Sequence, residues 1–337
     1  MDAITTVDYH TAGEPFRIVA NPPVDIVGDT VANRRIYAIS NPEVDGLRKL
    51  LCFEPRGHAD MYGCFITPPD DGGADFGVLF WHKDGFSTAC GHGTIALGVW
   101  AIESGKVAID PSGTTDVVID VPSGRVTARV HTQGSVIQSV DFINVASYHM
   151  HSDINLETSL GNLKVDVSFG GAIYAQLDIS QTSLSVTPEF YSQVIAIGRE
   201  IKWALNGTDY AQHPSDPRLS GIYGTIVYEE LAPDADGLKR QRNATIFADG
   251  EVDRSPCGSG TCARLATLVE KEQLQIGEVL KHGSIVDSQF LGVAQEFVTV
   301  DGKKAILPQV TGMAYKTGES TFTIDPRDPL TPGFVLR

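Results

Sequence analysis

Hydrophobic and polar residues alternate in short runs along most of the chain, and turn-forming residues separate these runs. Alternation with a period of two is typical of β-strands that bury one face, and Gly, Pro, Asp and Asn mark the turns between them. Strands are predicted over VLFWHKDG, DVVIDVPSGRVTARVH, SVIQSVDFINV, GTIVYEEL and ATIFADGEVD. The pattern therefore predicts a protein with many strands.

Helical periodicity is confined to fewer stretches. TPEFYSQVIAIGREIKWALNG predicts a helix that Thr187 caps, that Pro188 opens and that Gly207 ends. NPEVDGLRKLL predicts another helix, which Gly46 weakens. Together with the strands, these helices favour an α/β or α+β fold over a helical bundle.

A Cys-Gly-x-Gly-Thr motif occurs twice. ACGHGTIALGVWAIESG and PCGSGTCARLATLVEKE align with Cys90 on Cys257. Each copy follows a β-like run with an Asp-Gly turn and precedes a predicted helix; the first of these helices has no polar face, so it is expected to be buried all round. Coincidence is the alternative, because Gly and Thr are common in turns. The repeated flanking context favours two related domains.

The predicted boundary between these domains lies near Pro122, where turn residues interrupt a β-like stretch. We expect residues 1–122, together with the C-terminal tail 313–337, to form a first α/β domain. Residues 123–312 are expected to form the second, so that each domain carries one copy of the motif. A chain of 337 residues is long for one domain, which agrees with this division.

Composition and charge exclude several classes of protein. The formal net charge is −16 and no run of Lys or Arg offsets it, so we expect neither nucleic acid nor an acidic membrane as a partner. MDAITTVDYHTAGEP lacks the features of a signal peptide, and no apolar run approaches the ~18 residues of a membrane-spanning helix. The five cysteines are an odd number, and we interpret them as reduced thiols of a cytoplasmic protein.

The start of a helix is a favourable place for a reactive thiol. The first backbone N–H groups of a helix lack internal partners and carry partial positive charge. They stabilise a thiolate, whose pKa can fall from ~8.5 to ~3.5–7.5, and they bind carboxylates that glycine allows to approach. A thiolate and a thiol on opposite sides of a bound acid can remove a proton from its α-carbon and return one to the other face. Such an inversion needs no metal and no pyridoxal phosphate.

Other interpretations of the cysteines leave part of the pattern unexplained. A zinc site needs three or four closely spaced ligands, whereas Cys90 and His92 stand alone and no CxxC or HExxH is present. A Cys–His hydrolase uses one thiol and does not account for the second motif. A redox disulfide between Cys90 and Cys257 is a further alternative. Three cysteines are interpreted as small core residues, namely Cys52, Cys64 and Cys262.

Several stretches of the chain resemble signatures of the proline racemase family. They are DYHTAGEPFRIV, EPRGHADMYG, CGHGTIA, VSFGGAIYA, VDRSPCGSGTCARLA and the C-terminal TGMAYKTG and IDPRDPLTPGFVLR, so the resemblance spans nearly the whole chain. It implies cofactor-independent chemistry on proline or hydroxyproline. It also implies a fold like that of diaminopimelate epimerase, with two pseudo-symmetric domains, each a strand barrel around a central helix, and the active site in the cleft between them.

The resemblance implies roles for individual residues. Cys90 and Cys257 match the family's two acid/base thiols. Asp253 matches an aspartate that contacts the ring nitrogen of the substrate, with a turn or capping role as the alternative. The positions that hold the substrate, chiefly its carboxylate, are matched by Gly91, His92, Gly258 and Ser259.

For several further residues two roles are open. His92 either polarises the site or packs, in addition to its match above. Tyr62 and Phe65 are expected either to wall an apolar pocket for a pyrrolidine ring or to pack in the core. Five residues of the signatures are expected either to support the cleft or to contact the substrate: His10, Glu14, Arg56, His58 and Asp60.

Members of the family catalyse three reactions, and the residue at position 257 indicates which of them to expect first. Proline racemases and 4-hydroxyproline 2-epimerases invert the α-carbon with a group on each side. Trans-3-hydroxy-L-proline dehydratases need one base and typically carry threonine where this chain has Cys257. Proline racemase is therefore the first expectation, with the epimerase and the dehydratase as alternatives; GFSTACGHG resembles the dehydratase branch.

A binding protein without catalytic activity is a remote alternative. A non-catalytic imino-acid binding protein would be expected to lack one or both thiols, and this chain has both. A homodimer is common in the family, and the sequence carries no independent signal for one.

Overall fold

A computed structural model describes residues 3–336 as a mixed α+β protein, which confirms the predicted fold class. Within these residues the α-helices are α1 (Val31–Ser40), α2 (Pro42–Cys52), α3 (Gly91–Glu103), α4 (Tyr191–Asn206) and α5 (Gly258–Glu270). The strands are β1 (Ile4–Thr11), β2 (Glu14–Val19), β3 (Gly63–Thr67), β4 (Phe76–His82), β5 (Gly85–Phe86), β6 (Thr114–Val121), β7 (Gly124–Gln133), β8 (Val136–Ile143), β9 (Tyr148–Thr158), β10 (Gly161–Phe169), β11 (Ile173–Asp178), β12 (Ile222–Leu231), β13 (Lys239–Phe247), β14 (Glu251–Asp253), β15 (Val279–Ser284), β16 (Gln289–Val300), β17 (Lys303–Gly312) and β18 (Ala314–Phe322).

The chain divides into two compact units, residues 1–140 with 313–337, and residues 141–312. The division thus falls within β8, between Val140 and Asp141, later than the boundary expected near Pro122. Pro122 and Ser123 form the turn of a hairpin in which β6 and β7 pair antiparallel. The break in the β-like sequence therefore joins two neighbouring strands of the same unit.

The first unit consists of strands that follow one another around α3. β18 pairs antiparallel with β1, and β1 with β2; β2 runs parallel to β3, which pairs antiparallel with β4. β4 runs parallel to β6, which pairs antiparallel with β7, and the short β5 adds to β4. α3 packs against β1, β2, β6, β7 and β18. It is therefore the central helix of this unit.

The second unit has the same pattern of pairing. β9, β10 and β11 pair antiparallel in order, β11 runs parallel to β12, and β12 pairs antiparallel with β13. β13 runs parallel to β15, which pairs antiparallel with β16, and the short β14 adds to β13. β16 pairs in turn with β17, and α5 packs against β9, β10, β11, β16 and β17. α5 is therefore the central helix of the second unit.

The internal repeat predicted from the sequence is present as matching topology. The parallel pair β2–β3 corresponds to β11–β12, and β4–β6 corresponds to β13–β15. In each unit the central helix follows a short hairpin, β4–β5 or β13–β14. Cys90 and Cys257 therefore occupy the same topological position, immediately before the central helix of their own unit.

The two central helices are buried along nearly their whole length. Every residue from Gly91 to Ile102 of α3 is buried, as its lack of a polar face predicts. In α5 the buried stretch runs from Gly258 to Val269. Among the described residues, no helix combines the length and the apolar character needed to cross a bilayer.

The outer helices show where the sequence predicts helix ends well. α2 begins after Asn41, whose side chain accepts hydrogen bonds from the next turn, as expected for a cap. The helix expected from Thr187 begins later, because Pro188–Phe190 forms a 3-10 turn before α4 starts. α4 ends at Gly207, as predicted. α1 was not predicted.

Candidate active site

Cys90 is the N-cap residue of α3, and its backbone is extended. Its sulfur accepts a hydrogen bond from the Gly93 backbone N–H at 3.2 Å, and its carbonyl accepts one from the Thr94 hydroxyl at 2.8 Å. A Cβ at position 93 would lie 2.7 Å from this sulfur and 2.4 Å from the Phe16 ring. The close packing of the sulfur on the first helical turn therefore requires glycine at position 93.

His92 lies beside the same sulfur. Both of its ring nitrogens are 3.5 Å from Cys90 Sγ, and its ring packs edge-on against Tyr62 and Phe16. Burial lowers the pKa of His92 to about 3, so the imidazole is neutral near neutral pH. A neutral ring can exchange a hydrogen bond with the sulfur but supplies no positive charge to a thiolate. His92 thus combines packing with contact to the thiol.

His92 contacts a tyrosine whose buried hydroxyl is paired with a buried serine. Tyr62 Oη and Ser87 Oγ are 2.5 Å apart, and the Tyr62 ring contacts His92 with centroids 4.9 Å apart. Sequence reasoning did not select Ser87, although it stands in the stretch STACGHG. Phe16 was missed as well, although it lies in the signature that begins with DYHTAGEP.

Of the two roles expected for Phe65, the structure shows core packing. Phe65 is fully buried in the core cluster that also holds residues of α1 and α2, where it packs against Trp81 and Phe86. Tyr62 instead contacts His92. Residues three apart on an extended segment point to opposite sides, which explains why the two aromatic rings have different surroundings.

In the second unit, Cys257 has a backbone φ of 63°, in the left-handed region that non-glycine residues seldom adopt. Hydrogen bonds hold the chain on both sides of it. The Pro256 carbonyl accepts from Asn243 Nδ2 at 3.0 Å and from Thr261 Oγ1 at 3.2 Å. The Cys257 carbonyl accepts from the Thr261 N–H at 2.7 Å, and the Cys257 N–H donates to Ser255 Oγ at 3.1 Å. These contacts stabilise the strained conformation.

Asp253 is buried and lies four residues before Cys257. Its Oδ1 accepts hydrogen bonds from the Ser255 backbone N–H at 2.8 Å and from Ser255 Oγ at 2.6 Å, which is the turn role considered above. The carboxyl group also interacts with the Cys257 thiol. Burial raises the pKa of Asp253, and its hydrogen bonds only partly offset this effect.

Burial also raises the pKa of the Cys257 thiol well above its usual range, and the negative charge of Asp253 adds to the effect. The Gly260 N–H, the Tyr174 hydroxyl and Thr245 act in the opposite direction without cancelling it. The helix start was expected to lower the pKa of the thiol, so this expectation is wrong for Cys257. Loss of solvent around the buried sulfur outweighs the attraction of the helix N-terminus.

Tyr174, on β11, is a site residue that sequence reasoning missed. It is fully buried, and its Oη lies 3.8 Å from Cys257 Sγ and 2.7 Å from Ser259 Oγ. Burial raises the pKa of its hydroxyl well above the usual range. The available signal was the signature VSFGGAIYA, in which a tyrosine follows small and apolar residues.

The first two residues of each central helix are the predicted carboxylate contacts. All four are buried, and the N–H groups of a first helical turn have no acceptor within the helix. The structure brings them next to the thiol of their own unit: Gly91 and His92 follow Cys90, and Gly258 and Ser259 follow Cys257. Each unit therefore combines a thiol with donors that can bind a carboxylate.

A family model described as proline racemase matches residues 6–335. The match includes both thiol sites and both central helices. This chain belongs to the proline racemase family.

Relatives within this family carry different names. The trans-3-hydroxy-L-proline dehydratase of Bacillus thuringiensis subsp. konkukian is 44% identical over 332 residues, which cover 98% of this chain and 98% of the relative. The 3-hydroxyproline 2-epimerase of Burkholderia multivorans is 41% identical over 336 residues, covering 99% and 98%. A crystal structure of a probable proline racemase from Agrobacterium radiobacter, with bound carbonate, has a TM-score of 0.91 at 31% identity and covers 99% of this chain and 96% of its own.

The remaining residues of the proline racemase signatures make local contacts in the first unit. His10 stacks on Tyr315 with centroids 5.5 Å apart, and Arg56 forms an ion pair with Asp328 at 3.7 Å. His58 Nδ1 accepts a backbone N–H two residues further along the chain at 3.3 Å. Two acidic residues of these signatures are buried, namely Glu14 and Asp60. His10, Arg56 and His58 thus each make a contact within their own unit.

All five cysteines are free and buried. Cys52 donates a hydrogen bond to the Met61 carbonyl at 3.3 Å, and Cys64 and Cys262 are fully buried in the proline racemase fold. Residues 3–336 contain no cluster of three or more His, Cys, Asp or Glu side chains arranged to bind a metal ion. Cys52, Cys64 and Cys262 therefore have the surroundings of core residues.

Proposed function

We propose that this protein is an enzyme that removes the α-proton of a proline-type imino acid, with Cys90 and Cys257 as the acid/base groups. The observation that carries the proposal is the matched setting of the two thiols. Each stands before a buried central helix, and each sulfur lies against a glycine three residues further on, Gly93 or Gly260. Such a setting joins a proton-transfer group to donors for the substrate carboxylate.

Roles for the other site residues follow from the same arrangement. The first N–H groups of α3 and α5, with Ser259 Oγ, are proposed to bind the carboxylate and to stabilise charge that develops on it. Asp253 is proposed to accept a hydrogen bond from the ring nitrogen of the substrate. His92 is proposed to orient the Cys90 sulfur as a neutral hydrogen-bonding group.

We propose trans-3-hydroxy-L-proline as the substrate and dehydration as the reaction. Support comes from the relative of that name, which is 44% identical over 98% of this chain, and from the stretch GFSTACGHG. In this substrate the α-hydrogen and the 3-hydroxyl lie on the same face of the ring. A thiolate takes the α-proton, the released electron pair forms a double bond between C2 and C3, and the C3–O bond breaks. The hydroxyl leaves with a proton as water, and the enamine tautomerises to a cyclic imine.

Inversion of the α-carbon is the second candidate function. Cys257 favours it, because it supplies a second acid/base thiol that dehydration does not require. The relative named 3-hydroxyproline 2-epimerase, at 41% identity, supports the same reaction. Racemisation of proline and epimerisation of 4-hydroxyproline belong to this candidate. Both candidates begin with removal of the same proton and differ in the step that follows.

Incubation of the protein in D2O with trans-3-hydroxy-L-proline, trans-4-hydroxy-L-proline and L-proline distinguishes the two candidates. Dehydration predicts a cyclic imine, visible by NMR, from the 3-hydroxy compound alone. Inversion predicts deuterium at Cα together with a change in optical rotation. If none of the three compounds changes or gains deuterium, the protein is not an enzyme of this kind.

The role of the thiols is tested by Cys90→Ser and Cys257→Ser. Because serine is a much weaker acid than cysteine, we expect either change to reduce the inversion rate at least 100-fold. The matched control is Cys52→Ser, which alters a cysteine outside the proposed site. Wild-type rates on every substrate in both site variants would overturn the thiol mechanism.

A further inference from the structure

We propose that Cys257, Tyr174 and Ser259 form a reversible hydrogen-bond chain that links the protonation of Cys257 to the hydrogen bond Ser259 gives the substrate carboxylate. This inference rests on the proposed function, because it takes Cys257 as an acid/base group and Ser259 as a carboxylate contact. It adds Tyr174 as the residue that joins these two roles.

All three residues of the hydrogen-bond chain lie in the second unit. Tyr174 Oη is 3.8 Å from Cys257 Sγ, within hydrogen-bonding distance for sulfur, and 2.7 Å from Ser259 Oγ. Tyr174 has no solvent-accessible surface, and Ser259 is 2% exposed. Water therefore does not compete for these hydroxyl groups, and the partners within the chain must satisfy them.

Each hydroxyl has one proton, so the direction of the chain depends on the state of the sulfur. When Cys257 is a thiol, S–H donates to Tyr174, Tyr174 donates to Ser259, and the Ser259 proton is left for the carboxylate. When Cys257 is a thiolate, Tyr174 donates to the sulfur and Ser259 donates to Tyr174. The two states interconvert by rotation of the hydroxyl groups, and no covalent bond other than S–H changes.

This reversal has a consequence for catalysis. Ser259 can donate to the substrate carboxylate while Cys257 carries its proton, which is the state in which Cys257 acts as an acid. Negative charge develops on the carboxylate when the opposite base removes the α-proton, so the donor is present when it is needed. Transfer of the Cys257 proton then withdraws the donor and weakens the hold on the carboxylate before release.

Other titratable groups surround this chain. Asp253, on β14, raises the pKa of Cys257, and Tyr223, on β12, raises the pKa of Tyr174. The positive charge of Arg254 acts to lower the pKa of Asp253. These groups set the absolute pH at which the thiol ionises. They are unchanged when Tyr174 or Ser259 is altered, so a comparison of variants reports on the hydrogen-bond chain.

The test measures alkylation of the full-length protein by iodoacetamide across pH, with mass spectrometry of the peptides that contain Cys90 and Cys257. Tyr174→Phe removes the donor to the thiolate, and we expect the midpoint for Cys257 to rise by about one pH unit. Ser259→Ala removes the acceptor of the Tyr174 hydroxyl in the thiol state and the donor to the Tyr174 oxygen in the thiolate state. In the thiolate state the Tyr174 proton still bonds to the sulfur, whereas in the thiol state it is left unpaired, and an unpaired buried donor is the costlier loss. The variant is therefore expected to lower the same midpoint.

The controls are Cys90 in the same samples and Tyr148→Phe, which removes a buried hydroxyl that bonds to His213 instead. The alkylation midpoint of Cys90 is expected to be the same in every variant, and Tyr148→Phe is expected to leave the midpoint of Cys257 unchanged. Thermal unfolding establishes that each variant is folded. An unchanged Cys257 midpoint in Tyr174→Phe overturns the proposal, as do shifts of the same sign in both site variants. If Tyr174→Phe does not fold, the sign of the Ser259→Ala shift decides.

No substrate is present in this measurement. A failure of the proposed function would appear as absence of turnover while the opposite shifts persist. A failure of the hydrogen-bond chain would appear as absent or parallel shifts in an enzyme that still turns over.

Discussion

The backbone N–H of Gly93 donates a hydrogen bond to the Cys90 sulfur at 3.2 Å, and the absence of a side chain at Gly93 permits this approach. An equivalent contact exists in the second unit, where a Cβ at Gly260 would lie 2.8 Å from the Cys257 sulfur. The third residue of each central helix thus fixes the sulfur of the cysteine that precedes the helix. This explains why the motif repeats Gly at that position.

Gly93→Ala is expected to lower kcat by about 100-fold, the scale of loss when a reacting group moves by about 1 Å. The new Cβ would contact both the Cys90 sulfur and the Phe16 ring, and the sulfur must move. Gly46→Ala in α2 is the matched control, since a Cβ there meets no atom within 4 Å. We expect it to leave kcat unchanged and to stabilise the helix by roughly 0.5–1 kcal/mol. Steady-state rates and thermal unfolding check both variants, and a wild-type kcat for Gly93→Ala would contradict the positioning role.

The elements that the sequence predicted best are those with a local cause. Period-two alternation identified strands, the apolar surface of α3 predicted its burial, and the stretch NPEVDGLRKLL predicted α2. The repeated motif led to two similar units because it includes the turn and the helix start as well as the cysteine. These features depend on neighbouring residues, which a single sequence contains.

Features that depend on packing between distant segments were missed or misplaced. Tyr174 reaches Cys257 only because β11 packs against α5, and no local pattern encodes that register. Phe65 lies on β3 and packs in the core, whereas Tyr62, just before this strand, contacts His92. The pKa of Cys257 depends on burial by the whole unit, which outweighs the local effect of the helix start.

Cys257→Thr separates the two candidate reactions. Threonine retains a hydroxyl for hydrogen bonding but cannot exchange a proton as a thiol does. We expect this variant to lose inversion of the α-carbon by at least 100-fold and to retain most of the dehydration of trans-3-hydroxy-L-proline. Imine formation and Cα deuteration are measured in the same sample. Equal losses in both reactions would mean that Cys257 also takes part in dehydration.

Asp253→Asn is expected to stabilise the protein at neutral pH while lowering its activity. Burial raises the pKa of Asp253, so the folded state disfavours the carboxylate. For a carboxyl group with a raised pKa, the stabilising contribution is complete below the unfolded-state pKa, ~3.9, and is lost as the pH rises through the folded-state value. Asparagine avoids this loss and keeps an oxygen for the two bonds from Ser255. The melting temperature of the variant should exceed that of the wild type at pH 8, and this difference should shrink as the pH falls.

Activity separates the two roles of Asp253 in the same variant. If the residue only supports the turn, Asp253→Asn should retain wild-type KM, because the turn bonds remain possible. If it accepts from the ring nitrogen as proposed, loss of the negative charge should raise KM about tenfold or more. A variant with unchanged KM and kcat would exclude the contact with substrate.

His92 makes the folded protein sensitive to acid. Burial lowers its pKa to about 3, whereas an unfolded chain binds the proton near pH 6.5. The neutral ring therefore contributes stability that is complete above pH 6.5 and is lost as the pH falls towards 3, with about 2 kcal/mol lost at pH 5. His92→Gln removes the titrating group, and the drop in melting temperature between pH 7.5 and pH 5 should be smaller in the variant. His282, buried in the second unit with a pKa also lowered to about 3, predicts the same change for His282→Gln. Parallel melting curves for the wild type and both variants would show that neither imidazole is held neutral by burial.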